Sequence, residues 1–202
     1  MSYKKLSDSN IIRSFKTIFY IVAILWILLG VTFFLPFLKN YGIRPRTLAG
    51  LPGILIAPFL HANAFHLIEN SIGLFILGFI FLITERKLSG VVILNIIIIG
   101  GLGTWLIGRT DCGGGSCSHI GASGVIYGIL GYLLAIGIFT RNLKAIIVSA
   151  VVFALFVVKA EALRGIFPSD RAVSWEYHLC GFLAGIVTAK FYARRNSSQY
   201  AR

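Results

Sequence analysis

Charge is scarce in this chain. Asp, Glu, Lys and Arg make up 13% of the 202 residues, while 57% are hydrophobic. Soluble domains carry about 25% charged and about 45–50% apolar residues. With a mean hydropathy of +0.85, the composition therefore excludes a soluble globular domain. Strand-length segments of alternating polarity are missing as well. The apolar runs are long and unbroken, which excludes a membrane barrel made of strands of about 10 residues. No small-x-small cleavage site follows the first apolar run, which is too long for a signal-peptide core, so that run is read as retained. Acidic residues are the scarcest charge, seven against nineteen basic. Basic residues of membrane proteins crowd the cytoplasmic loops, so the net charge of +12 does not call for nucleic acid.

What remains is an all-α polytopic membrane protein. The length has room for one domain and roughly six spans of about 20 residues. The apolar runs place them at about 17–38, 61 or 66–83, 88–107, 121–139, 145–158 and 178–192. A polar leader, 1–16, precedes the membrane domain 17–192, and a polar tail, 193–202, follows it. The loop 39–60, with Arg44, Pro45, Arg46, Pro52 and Pro58, is partly apolar. It can dip into the bilayer where protein covers its backbone. Twelve Lys and Arg fall on the side of the two termini and the 2–3 and 4–5 turns, and seven fall on the other side. The denser side is read as cytoplasmic, which puts the chain in the cell membrane with both termini inside.

This topology brings scattered polar residues to one depth. Spans 2, 4 and 6 all enter from the outer face. Ser123 opens span 4 within Gly121-Ala122-Ser123-Gly124, His178 opens span 6, and His61, His66 and Asn70 stand at the start of span 2. Polar groups within a membrane are costly and tend to face the bundle interior. Gly124 and Gly128 are four apart, as are Gly181 and Gly185, and such small-xxx-small faces let helix backbones approach closely. If the two faces meet, His178 comes within reach of Ser123. A serine hydroxyl becomes a nucleophile when a base takes its proton. No carboxylate is naturally placed as a third member, because Glu176 lies about 200° around the helix from His178. The reading is a Ser123–His178 dyad. His66 and Asn70, one turn apart on span 2, are candidate oxyanion donors, with the free Ser123 N–H at the helix start as a third.

The chain resembles the rhomboid intramembrane serine proteases of the six-span bacterial type. The resemblance lies in His61-x4-His66-x3-Asn70, in Gly121-x-Ser123-Gly124 with Tyr127, and in His178-x2-Gly181-x3-Gly185, in that order. It implies Ser123 as nucleophile, His178 as base and His66 with Asn70 as oxyanion donors. It further implies Tyr127 packed against the His178 ring and His61 as a structural or water-positioning residue. The implied substrates are single-span membrane proteins met in the lipid bilayer, with a small residue before the scissile bond and helix-weakening Gly or Pro nearby. Where the family has a Trp-Arg pair in the first loop, this chain has Arg44 and Arg46 with no preceding Trp.

Other readings use the same residues. Three histidines with Glu69 could hold zinc or haem, but His-x4-His is not an i, i+4 pair, and neither group explains Gly-x-Ser-Gly. A non-catalytic relative that only binds membrane segments would not need both Ser123 and His178. The protease reading needs no cofactor or metal. Cys112 and Cys117 lie in an outer loop where a disulfide can form, or where the pair with His119 could bind a metal. Cys180 is read as packing.

Overall fold

The computed structural model describes residues 3–112, 115–159, 165–167 and 173–200. Among them the chain is helical, without a strand. Helix α1, Tyr3–Phe34, runs unbroken through the expected leader and stops ahead of Leu35-Pro36. Proline disfavours the α conformation in the residue before it, which explains why the helix ends short of position 38. Its outer face exposes Phe19, Ile24 and Ile27, the pattern of a helix that meets lipid.

The first loop is covered by protein. It folds into short turns and the one-turn helix α2, Gly53–Ile56. Ile54 packs so closely on the third apolar run that a Cβ at Gly101 would sit 2.6 Å from its side chain. Arg46 anchors the loop by donating from Nη1 to the Leu106 carbonyl at 2.8 Å and from its backbone N–H to the Trp105 carbonyl at 3.0 Å. Trp105 returns a bond from Nε1 to the Thr47 carbonyl at 2.8 Å. The Trp105 ring thus holds the loop through the Thr47 carbonyl, while Arg46 bonds backbone carbonyls of the same segment.

Helix α3, Ala64–Gly73, starts on the Asn63 side chain, which accepts the His66 N–H at 2.9 Å. It continues through a π turn, Leu74–Gly78, into α4, Phe79–Thr84. Helix α5, Ser89–Ile107, and α6, Ser123–Thr140, follow. Next comes α7, Leu143–Val152, capped by Asn142 and prolonged by a π turn, Phe153–Lys159. Helix α8, Trp175–Tyr200, begins one turn before His178 and continues into the expected tail. Among the described residues, four segments have the length and apolarity to cross a membrane: Asp8–Phe34, Ala64–Thr84, Ser89–Ile107 and Ser123–Thr140. Leu143–Val157 is apolar but shorter.

Helix α6 is the axis of the bundle. Two-thirds of it (67%) is buried, against 22–33% for the other three crossing segments. Its glycines receive α8. A Cβ on Gly181 would lie 2.0 Å from the Gly124 carbonyl, and one on Gly185 would lie 1.9 Å from the Gly128 carbonyl. The two glycine faces therefore meet at backbone contact. That approach maximises dispersion between helices where lipid offers no hydrophobic drive.

Candidate active site

Ser123 is the first residue of α6, and the turn before it is held from three sides. Gly121 has φ +120, a conformation that favours glycine. A Cβ there would also lie 2.7 Å from the His66 ring. The Gly121 N–H donates to the Ala57 carbonyl at 2.9 Å, and the Ala122 N–H donates to His61 Nε2 at 3.4 Å. His61 can accept because it is neutral. Burial, with the charge of His66 beside it, lowers its pKa to about 4, against a smaller upward pull from the Phe59 carbonyl.

His178 projects from the first turns of α8 at the depth of Ser123. Its Nδ1 lies 2.8 Å from the Gly165 carbonyl. A carbonyl only accepts, so Nδ1 carries the proton and Nε2 keeps its lone pair. Tyr127, one turn below Ser123, stacks on the imidazole with ring centroids 4.3 Å apart and planes 16° apart. Ser123 and His178 are each 9% exposed. With His66, Asn70 and Tyr127 they line one cavity of about 780 Å³. No hydrogen bond joins Ser123 to His178 among the described residues. Such bonds are often long before substrate binds.

Asn70 is buried, and its Nδ2 has no hydrogen-bond partner among the described residues. A buried donor left unpaired is rare and calls for an explanation. This one points at the Gly121 turn, 3.5 Å from where a Cβ would stand. An anion formed at Ser123 would give it a partner.

The profile of the Rhomboid domain family matches residues 49–195. The chain belongs to the rhomboid family. An uncharacterized protein of Mycobacterium tuberculosis is 44% identical over 153 residues, 73% of this chain and 62% of that protein. One of Mycobacterium leprae is 41% identical over 155 residues, 75% of this chain and 60% of that protein. The chain thus spans about three-fifths of the length of these curated relatives. The matched rhomboid segment begins in the first loop, so it contains every element that builds the cavity, while α1 lies outside it.

Around this rhomboid core are partners that sequence reasoning missed. Gly165 presents its carbonyl to His178 and lies under Tyr127, where a Cβ would fall 2.1 Å from the phenol oxygen. Nothing in a single Gly within a polar loop signals that role. Glu176 turns away from His178, as its helical phase requires. It accepts the Arg109 backbone N–H at 3.2 Å and lies 3.5 Å from Arg109 Nε. Arg109 Nη2 donates to the Val173 carbonyl. His119 pairs with Ser174 Oγ and with the Arg109 carbonyl, and exchanges both backbone bonds with Ile43. Burial lowers the His119 pKa, opposed by the Arg109 carbonyl and Glu176 and aided by the Arg109 charge. Cys112 and Cys117 are joined in a disulfide. With His119 engaged elsewhere, the trio weighed as a metal set is spent on other bonds. Cys180 packs against Gly103, where a Cβ would lie 3.1 Å from its sulfur.

Proposed function

We propose that this rhomboid is an intramembrane serine endopeptidase that cuts transmembrane segments of single-span membrane proteins in the cell membrane. The observation that carries this reading is the convergence of Ser123, His178 and the unpaired Asn70 donor, from three helices, on one cavity. His178 Nε2 takes the Ser123 proton as Oγ attacks the scissile carbonyl. The oxyanion that forms is met by Asn70 Nδ2, by His66 and by the Ser123 N–H, which has no intrahelical acceptor at its position. The imidazolium then protonates the leaving amine, and water releases the acyl group by the same steps in reverse order. The Gly165 carbonyl does for the imidazole what a triad carboxylate does elsewhere. It fixes tautomer and orientation, but adds no full charge.

The test is a fluorophosphonate probe alongside cleavage of a single-span substrate in detergent or liposomes. Wild type is expected to label and cleave, and Ser123→Ala to do neither while keeping its melting temperature. Asn70→Ala is expected to lose about 10²–10³ in turnover, the usual cost of one oxyanion donor. Labelling that persists in Ser123→Ala would end the serine-protease reading.

A further inference from the structure

Glu69 is a charge the mechanism does not use. It lies three residues after His66 and one before Asn70 on α3, and its side chain lines the same cavity. It is exposed, and no salt bridge or hydrogen bond engages it among the described residues. Its neighbours Phe65, Ile68 and Ile72 are exposed apolar residues on the lipid side of the helix. Glu69 therefore stands where the cavity wall gives way to lipid, about 8 Å into α3 at 1.5 Å per residue. A carboxylate at such a place is expensive and marks function by default. The chain is otherwise strongly basic, with seven acids against nineteen bases. The cation among the described residues of this cavity wall, Arg109, is held by Glu176 and Val173. Glu69 is also within electrostatic reach of His66 and Tyr127. A group bound at Ser123 therefore shares one cavity with this carboxylate.

We infer that Glu69 is a specificity-determining residue, and that it selects membrane segments carrying a Lys or Arg near the scissile bond. The inference rests on the peptidase reading and gives it a substrate class. A substrate ammonium or guanidinium brought to Glu69 gains an opposite charge in a region of reduced dielectric, where the attraction outweighs that in bulk water. A Glu at the same place would meet like charge and a repulsive field.

The experiment scans Lys, Gln and Glu through the four positions on each side of the scissile bond of one model substrate. At one or two positions wild type is expected to favour Lys over Gln by about tenfold in kcat/KM, which is ~1.4 kcal/mol. Added salt should shrink that ratio. Glu69→Gln should bring the ratio to about one, and Glu69→Lys should invert it in favour of the Glu substrate. Each ratio is taken within one variant, so a general loss of activity cancels. A wild-type enzyme with no Lys preference at any position overturns the inference even if no variant folds. So does a preference that survives unchanged in Glu69→Gln. Cleavage of the Gln substrates that depends on Ser123, with no charge preference, would sink this inference alone. Cleavage that does not depend on Ser123 would sink the peptidase reading beneath it.

Discussion

At the scale of single residues, the site depends on keeping imidazoles neutral. His178 can act as a base only with Nε2 unprotonated, and the Gly165 carbonyl secures that tautomer without pulling the ring toward its charged form as strongly as a carboxylate would. His61 supports the Ser123 turn in the same way, by accepting the Ala122 N–H. Its pKa falls from 6.5 to about 4 on folding. Between those values the unfolded chain binds a proton that the native chain refuses, so stability rises with pH across the window. The contribution of the neutral ring is complete above about pH 6.5 and is lost as pH falls toward 4. The melting temperature in detergent should therefore decline as the buffer goes from pH 7.5 to 4.5. His61→Gln, which keeps an acceptor but does not titrate, should decline less steeply. Parallel slopes in the two proteins would show that His61 is not the group being protonated. His119 is shifted in the same direction and remains in both proteins, so it accounts for slope that the variant retains.

At the scale of helices, the proposed catalysis depends on how closely α6 and α8 approach. Gly181 and Gly185 face carbonyls of α6 at distances that leave no room for a Cβ. A leucine at either position must push the helices apart and carry His178 away from Ser123. Displacements of about 1 Å can cost on the order of 100-fold in rate, so Gly181→Leu and Gly185→Leu should cut turnover by at least that factor. Gly90→Leu is the control, because a Cβ there meets nothing within 4 Å, and it should cleave near the wild-type rate. Full activity in Gly185→Leu would mean that this contact does not set the position of His178. The helix pairing was legible in the sequence because its cause is local and periodic: glycines at i and i+4, with a histidine on the same face. The ends of helices were less legible. Helix α1 starts well before position 17, because a polar leader with no helix breaker can simply extend the helix beneath it. The parts of the site that stayed hidden come from loops. Gly165, Arg109 and Ser174 act through backbone carbonyls or contacts some tens of residues apart in sequence, and no residue type or spacing announces these.

At the scale of the whole molecule, the site has meaning only on one side of a membrane. Ser123, His178 and the α3 donors sit at the ends of α6, α8 and α3 that point the same way, toward the disulfide-bearing loop. Lys and Arg gather on the opposite side, twelve against seven, and the tendency of basic loops to stay in the cytoplasm makes that side the one expected inside. With that orientation the cavity mouth and the Cys112–Cys117 bond would face outside, where an oxidising compartment preserves disulfides. Charge and sulfur chemistry are two separate features that favour the same orientation. The expectation is that tags at both termini are digested by protease only after the cell membrane is opened. A thiol reagent added to intact cells should find Cys112 and Cys117 reactive only after reduction. A tag at the α8 end that is cut in intact cells would invert the chain. It would put the disulfide in a reducing compartment and turn the cavity toward the cytoplasm. Protected tags with freely reactive thiols would keep the orientation and remove only the disulfide from the working protein.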